Sequence, residues 1–403
     1  MNVLSLSLDN GAVAFVSLSA ASTAIAIGED VLSFDLTGRP YAVVRGGRTW
    51  RRGLDGGWRP SVDSERLLVW VHGAVHRLER RARALPPSAE RADLVARLEA
   101  FLALTPALLD DDARRFGEIY TPIGVFPPDQ YLARVVQVTH GCSWNRCTFC
   151  SLYAHTPFRI KTAEELAEHV DAVAAFLGSG LYLRRSVFLG DANALGIPHD
   201  RLVALLRVVV DRFPVVARHL SPPERVAWFD DHPAGVSGLY SFLDVWTGAR
   251  KTPAMWSEYA ALGLRRVYVG LESGDPDLLQ WLEKPSDVEA VADVTAALHG
   301  AGVSVGIIVL VGAGGARFAE SHVSRTTDLL RRLGLTGDDL VYLSEILAPP
   351  DLEYARRSSR DGVLALAPDE CARQARRIVQ AVRTPGSAHA PRVVKYDLRR
   401  LVY

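Results

Sequence analysis

An excess of charge of either sign is missing from this sequence. Its 403 residues carry 46 basic and 46 acidic side chains. No long-range field draws such a chain to phosphate, so nonspecific nucleic-acid binding is not expected. Lysine is nearly absent, standing only at Lys161, Lys251, Lys284 and Lys395. Arginine supplies the rest, as genomic base composition would produce. No apolar run reaches the roughly 20 residues that a membrane-crossing helix needs; residues 13–27 come nearest. No basic residue precedes that run and Asp9 stands where it would begin, so the expectation is no signal peptide and a cytoplasmic location. Internal repeats and low-complexity tracts are missing too. With 48% hydrophobic and 23% charged residues the chain is globular rather than disordered. Cysteine is scarce at four, yet Cys142, Cys147 and Cys150 lie within nine residues, a clustering that in the cytoplasm favours metal binding over disulfides.

Residues 1–70 read as short strands and turns, with 32–51 alternating around Thr37-Gly38-Arg39-Pro40 and Gly46-Gly47, the pattern of a small β-meander. Apolar residues at helical spacing over 88–104 predict a helix with Ser88 as its N-cap. A proline-rich link over 120–128 follows. Beyond it strands are expected at 134–139, 185–189, 238–246, 264–271, 303–311 and 340–347, with helices between them, one opened by a Thr162/Glu165 capping box. Serial β/α units imply a parallel sheet with right-handed crossovers. The expected class is therefore α/β, a partial (β/α)6 TIM-like barrel over 120–350. It follows a β-rich N-terminal domain plus helix over 1–119 and precedes a C-terminal helix and extension over 351–403. Active residues in such folds sit at the carboxyl ends of strands.

The loop after the first barrel strand reads His140-Gly141-Cys142-Ser143-Trp144-Asn145-Arg146-Cys147-Thr148-Phe149-Cys150. Three thiolates at C-x4-C-x2-C spacing can wrap one compact centre, and soft sulfur selects zinc, copper(I) or an iron–sulfur cluster. A cluster would keep one position open for chemistry. A zinc site would recruit His155 as its fourth ligand. Both readings stand at this point.

This loop resembles the cluster loop of the radical S-adenosylmethionine (radical SAM) superfamily, down to Phe149 before the last cysteine. That superfamily usually spaces its cysteines C-x3-C-x2-C, and this chain has one more residue between Cys142 and Cys147. The resemblance implies a 4Fe-4S cluster on Cys142, Cys147 and Cys150, whose remaining iron takes the amino and carboxyl groups of S-adenosylmethionine (SAM). It implies reductive cleavage to a 5′-deoxyadenosyl radical that abstracts hydrogen from an unidentified substrate, fed by a flavodoxin or ferredoxin type electron donor. Later strand ends extend the resemblance. Leu189-Gly190-Asp191-Ala192-Asn193 resembles the segment that binds the methionine amino group, and Gly270-Leu271-Glu272-Ser273-Gly274 resembles the ribose segment. The strand ending at Gly312 resembles the adenine side. The residues so implied as cofactor-binding are Gly190, Asp191, Asn193, Glu272, Ser273 and Gly312. Each has an ordinary alternative as a turn or helix cap.

Substrate-side candidates are Ser241, Asp244 and Trp246 on the third strand and Tyr342, Ser344 and Glu345 on the sixth. His322 and Arg325 are expected on a solvated helix face. Cys371 stands alone, which argues against a second cysteine-ligated cluster, and no separate stretch is large enough for a cobalamin domain. Oxidoreductase-like, lyase or mutase chemistry remains. The competing classes are a zinc-stabilised binding protein and a non-catalytic iron–sulfur carrier or sensor.

Overall fold

The computed structural model describes residues 2–9, 11–61, 64–285, 287–382 and 390–397. Seven strands open the chain: β1 (Asn2–Ser7), β2 (Val13–Leu18), β3 (Ser22–Ile27), β4 (Asp30–Asp35), β5 (Pro40–Arg45), β6 (Arg48–Arg52) and β7 (Trp58–Arg59). Each pairs antiparallel with the next. One face is apolar: Ala14, Val16 and Leu18 of β2 are buried while Val13 and Phe15 are exposed, the alternation of a half-covered antiparallel sheet. That face meets α1 (Ser64–Arg83) and α2 (Ala89–Ala103), which contribute Leu67, Val71, Val75, Leu78, Leu94, Leu98 and Phe101 to a common core. Ser88 caps α2, accepting the Arg91 N–H at 3.1 Å. The strand-and-turn reading ran too far, since α1 begins at Ser64. Its buried positions 67, 71, 75 and 78 have helical spacing, but the continuous apolar run Leu67-Leu68-Val69-Trp70-Val71 at its start reads locally as a strand.

After α3 (Pro106–Ile119) comes β8 (Arg134–Gln137), then the short pair β9 (Thr139–His140) and β10 (Arg159–Ile160), and α4 (Ala163–Leu177). The chain continues through β11 (Val187–Gly190), α5 (His199–Arg212), α6 (Pro222–Asp231), β12 (Leu239–Leu243), α7 (Val245–Gly248) and α8 (Pro253–Ala261). Next are β13 (Leu264–Glu272), α9 (Pro276–Trp281), α10 (Ala290–Gly300), β14 (Ser304–Val311), α11 (Gly315–Arg332) and β15 (Leu340–Glu345). The described chain ends with α12 (Glu353–Arg360), α13 (Pro368–Val382) and β16 (Arg392–Tyr396).

Seven of these strands form a second sheet, all parallel and in chain order from β8 through β11–β15 to β16. Every residue of β11 is buried, as are residues 305–311 of β14. Parallel strands buried on both faces lose the alternation of a half-exposed strand. All six expected strands are present, but the third stops at Leu243, which puts Asp244 just past its end and Trp246 on α7. The seventh, β16, is a difference: Tyr342 of β15 registers with Val394, so the described residues of 351–403 hold two helices and a sheet strand where a helix and extension were expected. Five residues, with only two adjacent valines among them, carry too little period to announce a strand.

Arg39 joins the two parts of the chain. Its Nε and Nη2 donate to Asp112 of α3 at 2.7 and 2.6 Å, and Nη2 also donates to the Phe176 carbonyl of α4 at 2.9 Å.

Candidate active site

Beyond β8 the chain enters a narrow neck in which β9 pairs antiparallel with β10, His140 opposite Arg159. Gly141 turns out of this neck at φ +70°, and a Cβ there would stand 2.5 Å from the Thr156 carbonyl oxygen. Only glycine satisfies both demands. Asp191, at the end of β11, braces the neck from beneath: its two carboxylate oxygens accept Gln137 Nε2 at 3.0 Å and the Gly141 N–H at 3.1 Å. Burial pushes the Asp191 carboxyl up to about 6, opposed by those two donors and by Lys161.

The cysteines lie on the loop so formed. Trp144 Nε1 donates to the Glu283 carbonyl at 2.8 Å, and the Thr148 N–H to the Leu282 carbonyl at 3.0 Å. Phe149 packs on the cluster of Leu278, Leu282, Leu310, Phe318 and Tyr354. These anchors fix the loop without using the thiols, all three of which are half-buried and unbridged. Burial pushes Cys147 up to about 12, with Lys284 opposing, and raises Cys150 as well.

Among the described residues no three His, Cys, Asp or Glu side chains converge on a point that could hold one metal ion, and His155 is exposed. A structural zinc gathers four ligands within about 2.0–2.3 Å of one centre. The set of Cys142, Cys147, Cys150 and His155 is not drawn together in that way. A cubane cluster asks for less convergence, because each thiolate takes a different iron.

Three charged groups stand within electrostatic reach of Cys147. Glu272 closes β13 at φ +61°. Lys284 follows α9, donates to Asp244 Oδ1 at the end of β12, and lies 4.0 Å from Glu272 Oε1. Gly270 makes room for them: a Cβ there would meet Glu272 Oε1 at 2.9 Å and Lys284 Nζ at 3.3 Å. Burial raises the Glu272 carboxyl to about 7, with Lys284 pulling it down and Asp244 up. For Lys284 burial acts downward, but the two carboxylates outweigh it and hold the ammonium above its ordinary value. Sequence reasoning did not select Lys284; its one signal was rarity, as one of four lysines.

The family model for the radical SAM superfamily matches residues 136–320, a span that contains both the cysteine loop and this ionic cluster. These residues form a radical SAM domain. Radical SAM enzymes use a 4Fe-4S cluster and SAM, small-molecule substrates and external electron donors. Solved structures similar to the chain include the radical SAM methyltransferase TsrM from Kitasatospora setae, at 16% identity and TM-score 0.42 over 60% of this chain and 44% of that one. Coproporphyrinogen III oxidase HemN from Escherichia coli matches at 12% and 0.43, over 68% and 63%. Methylornithine synthase PylB matches at 14% and 0.41, over 62% of each chain. The chain thus spans less than half of the first of them. No curated protein matches it. Among the described residues no helix is long and apolar enough to cross a membrane.

The expected site residues have different fates. Glu272 and Asp244 stand beside the cysteine loop as described. Gly190 gives its carbonyl to the Val138 N–H at 2.8 Å. The Asn193 side chain is held by Thr247 Oγ1 at 2.9 Å and the Asp244 N–H at 3.1 Å, locking the start of α7. The Gly312 N–H donates to Gln374 of α13 at 2.6 Å, and Cys371 backs that glycine. Ser241 donates to the Leu189 carbonyl at 3.0 Å, and Tyr342 to Asp129 at 2.6 Å; both hydroxyls have internal partners instead of facing open space. Ser344 is different. Its hydroxyl is buried at the end of β15 without a hydrogen-bond partner among the described residues, next to half-buried Glu345. Trp246 is partly exposed with its ring 6.3 Å from that of Trp144.

His322 corrects the expectation of a solvated helix face: it is fully buried, and its Nδ1 lies 2.7 Å from Ser273 Oγ, which also accepts the Asp275 N–H at 3.0 Å. Arg325 is the exposed member, paired with Asp275 at 3.3 Å. Burial lowers the His322 pKa from 6.5 to about 4. The unfolded chain therefore binds a proton that the native state refuses between those values. Stability is intact above about pH 6.5 and falls as pH drops toward 4, by up to about 3 kcal/mol from this group. Melting temperatures of the His322→Gln variant should decline less than wild type between pH 7 and pH 4.5. Parallel curves would show that His322 is not the group responsible.

Proposed function

We propose that this chain is a radical SAM enzyme with a single cluster held by Cys142, Cys147 and Cys150. The observation that carries the reading is that three unbridged thiols lie on one anchored loop, with Lys284, Asp244 and the buried Glu272 within electrostatic reach of Cys147. The donor set fits the group: three soft ligands suit a cluster with one iron left open, and the fourth cysteine is away on α13. When bound, the cluster supplies one electron to SAM, giving methionine and a 5′-deoxyadenosyl radical that abstracts hydrogen from a substrate of unidentified structure.

The chain's own residues bind and orient. The Lys284 ammonium is placed to meet a carboxylate and Glu272 to accept from hydroxyls. Ser273, Asn193 and Asp191 hold the strand ends in position. Gly190 and Gly312 mark the strand ends at which the nucleoside would lie, with the Gly190 carbonyl and the Gly312 N–H bonded within the fold. Burial around Cys147 and Cys150 excludes water from the same region. On the substrate side, Ser344 and Glu345 are the candidates with free or half-exposed polar atoms, with Asp244, Ser241 and Tyr342 behind them.

In this reading residues 120–350 are a partial (β/α)6 barrel, with 1–119 an N-terminal domain and 351–403 a C-terminal segment. Curling of the sheet is supported by contacts across it: Tyr396 of β16 donates to the Phe126 carbonyl at 2.8 Å, and Asp129 binds Tyr342 at 2.6 Å, both acceptors lying just before β8. The electron donor would be of flavodoxin or ferredoxin type and the location cytoplasmic.

Anaerobic cluster reconstitution followed by dithionite reduction with SAM tests the proposal. A brown protein releasing 5′-deoxyadenosine is the expected result. A colourless protein with one bound zinc would replace it with the binding-protein reading. A brown protein forming no nucleoside would leave a carrier or sensor.

A further inference from the structure

At the amino end of the parallel sheet, opposite the cysteine loop, lies a cavity of about 310 Å³ between the meander and the loops that precede β8 and β11. Its walls include Tyr41, Arg51 and Arg52 from the meander, Asp129 and Tyr131, and Arg184. Arg184 is 4% exposed, and its Nε and Nη1 have no hydrogen-bond partner among the described residues. The nearest described carboxylate oxygen is Asp35 Oδ2, at 3.7 Å from Nη1; the other oxygen of Asp35 accepts the N–H groups of Thr37 and Arg39. Arg52 is 6% exposed, with one long described bond of 3.5 Å to the Leu109 carbonyl. Asp112, Asp55 and Asp110 act on Arg52 from a distance, and Asp112 is gripped through both oxygens by Arg39.

The acid in the cavity wall is already committed. Asp129 accepts from Tyr268 and Tyr342 at 2.6 Å each and from Arg266 at 3.0 Å. Arg184 thus lines the cavity with two donor nitrogens unpaired among the described residues, an arrangement that costs free energy until an acceptor arrives, and Arg52 lies beside it with a single long bond. Arg51 stands at the exposed rim with its guanidinium 5.6 Å from the Tyr131 ring centre.

We propose that this cavity binds a small organic dianion, a phosphate monoester or a dicarboxylate. Guanidinium forks match the paired oxygens of such groups, the volume is that of a small-ligand pocket, and Tyr41 and Tyr131 offer apolar faces to its carbon skeleton. The site is separate from the cluster region and does not depend on the cluster reading.

Calorimetric titration of the full chain with inorganic phosphate, and separately with succinate, tests the assignment. One-site saturable binding of either anion is expected, and the anion preferred names the ligand class. Arg184→Gln should weaken it by at least about tenfold, the loss of charge-assisted hydrogen bonds. Arg51→Gln, at an exposed rim position where folding is not at stake, should weaken it severalfold. No saturable binding of either anion to the wild type would overturn the proposal. So would affinity unchanged in Arg51→Gln, whether or not the Arg184 variant folds.

Discussion

A Cys147→Ala variant is expected to fold, to stay colourless after reconstitution, and to make no measurable 5′-deoxyadenosine. The loop that carries Cys147 is held by the Trp144 and Thr148 hydrogen bonds, the Phe149 packing and the Gly141 turn. None of these involves the thiol, so the melting temperature should change little. Product formation should fall by at least about a hundredfold, because altering even a residue that only supports a metal ligand costs 10–100-fold. Cys371→Ala is the matching control. That thiol lies behind Gly312 on α13, and its loss should leave colour and product intact. Visible absorbance, iron content and a chromatographic nucleoside assay read both variants together. A brown, active Cys147→Ala protein would remove the cysteine loop from the mechanism.

Lys284→Met should be the most destabilising single change in the site, by about 3–5 kcal/mol, the usual cost of breaking a buried ion pair from one side. The Lys284 side chain is 9% exposed, and its departure leaves Glu272 and Asp244, at 11% and 15%, as neighbouring carboxylates without a cation. The deficit should depend on pH, with a sign fixed by linkage. Glu272 already has its folded pKa raised to about 7. A raised carboxyl pKa means that the native state binds the extra proton, so stability falls as pH rises from the unfolded value through the folded one. Without Lys284 that window extends further upward. Melting temperatures of wild type and variant measured between about pH 5 and pH 8 should therefore lie closest at the acid end, and adding Glu272→Gln should restore part of the loss. A gap independent of pH would show that the carboxylates are not what Lys284 stabilises.

The strands were legible because their apolar runs are local and bounded by turns, and Ser88 and Thr162 cap helices as their spacing predicts. What escaped was weak in local period: α1, whose opening run of five apolar residues looks like a strand, and β16, which is five residues long. The site divides in the same way. Asp191 lies at the strand end where the resemblance placed it, but its oxygens belong to Gln137 and Gly141. His322 reads as a polar helix position yet is buried against Ser273.

By itself the sequence determined the α/β succession, the three-cysteine loop and the glycine-flanked strand ends, because residue type and near-neighbour spacing are enough to encode each of them. Only the tertiary structure decided which charges meet. Lys284 finds Asp244 and Glu272, Asp129 finds Tyr342, and Arg184 is left facing a cavity. These pairings join elements far apart in the chain. Their strength comes from burial, which no stretch of sequence reports until the sheet, its helices and the meander have closed around them.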